Sequence, residues 1–387
     1  MRVWRKEGNF WVRRGQAPVL IGDDFVLGVT RPRFLGSGDP RNNVGCLTGV
    51  PRTTVTGVTQ SAGAVHENLT ITGKVNISAP NQTFWNCRFT FASSGDGAGG
   101  LVQSHNSQPH PTSFERCEFE PSRMWDRYNG LYGHHMTVYR CAIARTVDGI
   151  GLYNPSGGPI DSQILGNWIG ALSWFQDDRY VDPDGNPFPS GRQWGHNDGS
   201  HNDGIQAGGS GGGIVVRGNF WQMAKCNALN PGNVVIYEDE TFDVFPGNGI
   251  TPTAHDSGSR PQSGQCFLGN SDAYGPFTGL VFEDNWIWNG NHGVLLQRGP
   301  AQGSTPIVAT VRNNVFGGRW RAYGTGMKYY PIRYGFDTII NGFQPTGDGQ
   351  HPDTDGNVWA DDIHESMTIG GVYQGGLPVL HRYDSAQ

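Results

Sequence analysis

The side chains best suited to chemistry lie in one run, Trp194-Gly-His196-Asn-Asp198-Gly-Ser-His201-Asn-Asp203-Gly-Ile-Gln206, where His-Asn-Asp-Gly occurs twice. A further Asp-Gly-Ile stands upstream at Asp148-Gly-Ile150. Two carboxyl groups held together can divide general acid and base work, and in glycoside hydrolysis their separation selects retention or inversion. Asp148, Asp203 and the adjacent His201 are therefore the candidate catalytic residues. Trp174, Trp194, His196, Asp198, Gln206, His292 and Arg298 are candidate glycan contacts, since aromatic rings offer stacking area and polar tips bond hydroxyls. Arg298 falls six residues after His292, as His105, His135 and Asn154 do after Gly99, Asn129 and Asp148. Asp-Gly before a strand is also ordinary turn chemistry. Corner structure, sugar binding and catalysis thus all stand open for the Asp pair. Asp198 and Asp203 have the oxygen chemistry that suits calcium, but nothing in their spacing supports it, and no metal or cofactor is expected.

The elements that must position these residues follow from composition. The chain has 387 residues with 59 Gly and 24 Pro, and only 16% are charged. Glycine at that density costs about 1 kcal/mol per interior helical site, which argues against a helical bundle and for a turn-rich, all-β protein. No apolar run approaches the ~18 residues of a membrane span. The net charge is −6, with no Lys/Arg run to suggest nucleic acid or an anionic membrane as partner. The first residues are basic but lead into no apolar stretch, so no secretory leader is expected. Six Cys are too few for a disulfide scaffold.

A repeat sets the architecture. Seven segments align: Phe84-Trp-Asn-Cys87-Arg-Phe89, Phe114-Glu-Arg-Cys117-Glu-Phe119, Val138-Tyr-Arg-Cys141-Ala-Ile143, Ile164-Leu-Gly-Asn167-Trp-Ile169, Val216-Arg-Gly-Asn219-Phe-Trp221, Phe282-Glu-Asp-Asn285-Trp-Ile287 and Val311-Arg-Asn-Asn314-Val-Phe316. With the Cys/Asn as position zero, positions −3 and +2 are apolar throughout. Inward residues of one strand are separated by even numbers, and these are five apart, so a one-residue bend must separate two short strands. The residue before zero is Asn, Arg, Gly or Asp, and Gly and Asn tolerate the left-handed backbone of such a bend. A second column precedes it: Gly99-Gly-Leu101, Asn129-Gly-Leu131, Asp148-Gly-Ile150, Asp203-Gly-Ile205, Gln265-Cys-Phe267 and His292-Gly-Val294. Three short strands per repeat of 24–30 residues predict a single-stranded, right-handed parallel β-helix. The Cys/Asn column becomes an interior ladder. Its Cys are read as buried free thiols, because a linear stack is not a zinc tetrahedron.

Residues 1–65 lack the repeat and are read as an N-terminal attachment or capping segment. The β-helix is placed at 66–318, and 319–387 as irregular C-terminal coils and a cap. Ends of such a stack expose strand edges and need covering. Two insertions, 171–200 and 222–262, fall at the same corner of successive repeats and should emerge side by side along the first strand's face.

At these residues the chain resembles the pectate-lyase-like right-handed parallel β-helix superfamily over roughly 66–318. Thr48-Gly-Val-Pro51, Ile71-Thr-Gly-Lys-Val-Asn-Ile77, Asn86-Cys-Arg-Phe89 and His201-Asn-Asp-Gly-Ile-Gln206 are similar to segments in minor tail proteins of phages that infect actinobacteria. The resemblance implies a virion tail component, assembled in the host cytoplasm and facing host cell-wall glycan. It implies other tail proteins as partners and a homotrimer, with adhesion as the role and local glycan degradation as an extension of it. His201-Asn-Asp203-Gly also resembles the Asn-Thr-Asp-Gly of polygalacturonases, and Asn291-His-Gly293 their Gly-His-Gly. No Asp-Asp pair or Arg-Ile-Lys accompanies them, nor the calcium-and-Arg pattern of pectate lyases. A free polysaccharide hydrolase or lyase using Asp148 and Asp203, and a purely structural tail component, are the alternatives.

Overall fold

Every repeat contributes one strand to each of three long sheets. The computed structural model describes residues 4–7, 10–13, 18–19, 44–47, 49–91, 99–104, 109–122, 128–170, 172–174, 202–208, 211–223, 234–236, 242–244, 265–270, 276–288, 292–296, 305–317, 322–323, 327–328, 332–334, 338–342, 349–350, 357–360, 368–369, 372–373 and 380–381. Among them all regular structure is β, with no helix.

The first sheet stacks Val75–Asn76, Gly99–Ser104, Tyr128–Gly133, Asp148–Tyr153, Ile205–Gly208, Gln265–Asn270, His292–Leu296 and Ile332–Tyr334, all parallel, and ends on an antiparallel Gly349–Gln350. The second runs from Val65–Glu67 through Gln82–Trp85, Thr112–Glu115, Met136–Tyr139, Gln163–Leu165, Ile214–Arg217, Gly279–Glu283 and Ile307–Arg312 to Thr338–Ile340. The third begins at Thr53–Val55 and Leu69–Ile71. It continues through two- and three-residue strands such as Arg88–Phe89, Ala142–Ile143 and Phe220–Gln222 to Val358–Ala360, where Leu380–His381 adds antiparallel. Neighbours in each sheet come from successive repeats, which is the stacking a parallel β-helix requires. Parallel pairing extends to Thr53–Val55 on one side and Val358–Ala360 on the other, beyond the span in which the repeat can be read.

The apolar columns meet as expected. Phe84, Phe114, Val138, Ile164, Val216, Phe282 and Val311 are successive register partners. So are Phe89, Phe119, Ile143, Ile169, Trp221, Ile287 and Phe316. Both sets are buried in one core. Identical side chains in register lie face to face: the Phe84 and Phe114 centroids are 5.2 Å apart, and those of Phe89 and Phe119 4.8 Å. One alignment shifts. Val102, not Leu101, pairs with Leu131, so the first Gly-Gly repeat sits one residue later than its spelling suggests. Both residues are buried and apolar, and only the pairing separates the two frames.

All seven residues before position zero have left-handed backbone: Asn86, Arg116, Arg140, Gly166, Gly218, Asp284 and Asn313, with φ between 52° and 64°. The bend inferred from parity is therefore real in all seven segments. A second left-handed corner, at Asn81, His135, Asp161 and Gly213, precedes the second strand.

Behind the first bend runs the ladder. Asn167 donates its backbone N–H and its Nδ2 to Asn219 Oδ1, both at 2.9 Å. Asn219 repeats this on Asn285, and Asn285 on Asn314. Asn314 does so on Asn357, a rung that the spelling hid because Thr354 occupies its −3 position. Each Nδ2 also reaches the −3 carbonyl of the preceding coil, as Asn285 does to Val216 at 3.0 Å. The cysteines imitate part of this. The Cys141 thiol faces the Phe114 carbonyl at 3.5 Å, and its sulfur accepts the Cys117 N–H at 3.3 Å. Cys46, Cys87, Cys117, Cys141 and Cys266 are buried free thiols.

The two insertions meet: Ser173–Trp174 pairs antiparallel with Val234–Ile236, which pairs with Phe242–Val244. Near the N-terminus, Trp4–Glu7, Phe10–Arg13 and Pro18–Val19 form a three-stranded antiparallel sheet. The segment around Gly45 lies against the coils, with Gly45 N–H on the Arg140 carbonyl at 2.7 Å and Leu47 N–H on Asn86 Oδ1 at 2.6 Å. Near the C-terminus, Thr368–Ile369 and Val372–Tyr373 pair antiparallel with each other.

Candidate functional site

Asp148 opens its strand in the first sheet, and Asp203 takes the matching place one coil later, since Ile150 pairs with Ile205. The two residues are directly tied. Asp148 Oδ1 accepts the Asp203 backbone N–H at 2.8 Å, and the Gly149 N–H returns to the Asp203 carbonyl at 2.9 Å. Asn202 Nδ2 reaches the Val147 carbonyl at 2.7 Å. Asn202 and Asp203 are both buried. This corner receives the chain after the 171–200 insertion, so Asn202 and Asp148 fasten its return to the preceding coil. Burial pushes the Asp148 carboxyl up to about 7, against the opposing pull of the Asp203 amide. Burial, then the nearby Asp203 charge, raises the Cys266 thiol. A carboxyl that titrates near 7 can exchange protons at working pH, and what ties this one to Asp203 is that residue's backbone amide. The same Oδ1 is also a corner hydrogen bond.

The glycine of the Asp-Gly column is there for space. Gly130, Gly149 and Gly204 are not among the residues with positive φ. A Cβ on Gly149 would stand 2.3 Å from the Gly204 carbonyl oxygen and 2.9 Å from Ile169 Cγ2. One on Gly204 would stand 2.4 Å from Trp221 Nε1. The +2 side chains of the ladder segment fill the inside of this corner and leave no room for another.

Beyond the corner the first sheet presents an outward face. Ile150, Leu152, Ile205 and Ala207 enter the core, so Gly151, Tyr153, Gln206 and Gly208 face away from it. Tyr132 pairs with Gly151, Gly151 with Gln206, and Tyr153 with Gly208. The Tyr132 ring leans over Gly151, where a Cβ would meet Cδ2 at 2.7 Å, and the Tyr153 ring leans over Gly208, where it would meet Cε1 at 2.0 Å. The two ring centroids are 5.0 Å apart and tilted by 31°. Asn129 Nδ2 also lies over Gly151.

Of the residues singled out from sequence, Asp148, Asp203 and Gln206 share this sheet. His292 begins the strand His292–Leu296, opposite Gln265, and Trp174 lies in the small sheet made by the insertions; both are placed by backbone. His201, Trp194, His196, Asp198 and Arg298 lie outside the described residues. Tyr132, Tyr153 and Asn129 were not anticipated, because their meaning depends on a glycine in the next coil. Among the described residues no group of three or more His, Cys, Asp or Glu side chains is arranged to hold a metal. The sequence matches no protein-family model and no curated protein.

Proposed function

We propose that this protein is a surface-polysaccharide-binding appendage, a minor tail protein of a phage that infects actinobacteria, whose first sheet contacts host cell-wall glycan. In this reading the stack is a right-handed β-helix whose parallel rungs run from Thr53–Val55 to Val358–Ala360, wider than the 66–318 read from the repeat, with the residues before it joining it to other tail proteins and those after it closing its far end. Three such chains assemble as a homotrimer in the virion, built in the host cytoplasm. The observation that carries the reading is the outward face of the first sheet, where Tyr132, Tyr153 and Gln206 adjoin the Asp148–Asp203 corner. Aromatic and amide groups on a rigid sheet suit a repeating, hydroxyl-rich ligand. The test is binding of the purified chain to wall polysaccharide from actinobacterial cells, with saturable retention expected and no retention overturning it.

A second reading, glycan cleavage by Asp148 and Asp203, is favoured by the raised Asp148 carboxyl. Release of reducing ends or unsaturated products, abolished by Asp203→Asn, would establish it. The adhesive reading ranks first because the Asp148 carboxyl already receives the Asp203 amide. Neither binding nor release would leave a structural tail component.

A further inference from the structure

We infer that the Tyr132–Tyr153 face selects a neutral saccharide chain over a uronate or otherwise anionic one; this rests on the glycan-binding reading above. Two features of the face point there. The first is the floor. Gly151 lies inside its strand, where glycine weakens a sheet, and Gly208 ends the strand Ile205–Gly208; each is covered by the tyrosine of the preceding coil. Any side chain at either position would lift the ring away from the sheet. The rings therefore form a low diagonal strip across three adjacent strands, with both tyrosines partly exposed. A strip of aromatic surface fits the flat, CH-rich face of a pyranose or furanose ring.

The second is charge. The strands Tyr128–Gly133, Asp148–Tyr153 and Ile205–Gly208 contain no Lys or Arg. Asn129 and Gln206 offer amides that both donate and accept, which matches hydroxyl groups. The titratable groups at this end, Asp148 and Asp203, are acids and offer an anionic chain no counter-charge. Lys74, beside Gln103, stands two strands away from the Tyr132 strand. Among the described residues, an anionic polymer bound here would find no counter-charge at the centre of the face, whereas a neutral one needs none.

The experiment uses the full chain and affinity electrophoresis or calorimetry with two probe sets. One is neutral polymer (galactan, arabinan, mannan and glucan); the other is polygalacturonate and hyaluronate. The expected result is binding within the neutral set and none in the anionic set. Tyr153→Ala and Tyr132→Ala should each weaken binding by about tenfold, in line with the loss of one aromatic stacking surface. Tyr153→Phe should keep it within about threefold, and an unchanged melting curve for each variant shows that folding is not the cause. Preference for the anionic set overturns this inference and leaves the glycan-binding reading standing. So does neutral binding that ignores both alanine variants. Failure to bind any polymer or whole-cell wall fraction overturns the glycan-binding reading itself.

Discussion

The Asp148 carboxyl accepts the Asp203 amide at 2.8 Å from a site where burial raises it to about 7 from an ordinary value of 3.8. An acid whose folded-state value is raised holds its proton better folded than unfolded. Its contribution to stability is therefore complete below about pH 4. It is lost as pH rises toward 7, at up to about 1.4 kcal/mol per unit, and is flat above that. Asp148→Asn keeps an oxygen for the Asp203 N–H but cannot titrate. Denaturant unfolding of both proteins between pH 4 and 8 should show the wild type losing stability relative to the variant across that window. Parallel curves would mean that the carboxyl is not held away from water. Asn313 carries a different cost at the same scale. It is exposed and left-handed, with φ at 54°. Asn313→Gly should be near neutral, and Asn313→Ala should lose about 1 kcal/mol, measured by the same unfolding.

At the scale of the strand and its corner, the ladder and the glycine column make opposite demands, one for a particular polar side chain and the other for none. Asn285→Ala removes the acceptor of two Asn219 donors, at 3.0 and 3.1 Å, and the donor to the Val216 carbonyl. Leaving those buried groups unmatched should cost about 2–5 kcal/mol in a thermal or urea melt. Gly204→Ala forces a methyl against Trp221 and should cost about 1–3 kcal/mol. Gly279→Ala, whose nearest neighbour would be 3.6 Å away, is the control and should change little. These elements were readable from the chain to different depths. Positions −3, 0 and +2 carry side chains that must face inward, so hydrophobic type and parity betrayed the bend before any coordinate did. Val102 and Leu101 could not be separated, because both are apolar and the choice lies in pairing to Leu131. Gly204 looked like turn chemistry, since a letter does not say whether glycine answers to φ or to the volume of Trp221 in the third sheet. Tyr132 and Tyr153 were invisible as a pair because their partners, Gly151 and Gly208, belong to the next coil.

For the molecule as a whole, successive coils are equivalent units that touch mainly their neighbours, so stability should be close to a sum of coil and interface terms. Cys117 and Cys141 are equivalent ladder positions 24 residues apart. Deleting residues 117–140 joins Arg116 to Cys141 and recreates the segment Phe114-Glu-Arg-Cys-Ala-Ile143 with one coil fewer. Thr112–Glu115 then meets Gln163–Leu165, and Gly99–Ser104 meets Asp148–Tyr153, with every inward residue still inward. Deleting only 117–128 joins the bend to the first sheet out of phase, and inward residues lose their column. The in-phase deletion should keep a cooperative melt, β-type circular dichroism and resistance to limited proteolysis, while the out-of-phase deletion should lose all three. The contact of Gly45 with the Arg140 carbonyl is lost in the shorter protein. The Arg116 carbonyl takes the equivalent position before Cys141 and can accept the Gly45 N–H in its place, so the lower melting midpoint expected reflects the missing coil and its interface, with cooperativity kept. Equal collapse of both deletions would mean that the coils are not interchangeable units and that each is held in place by contacts of its own.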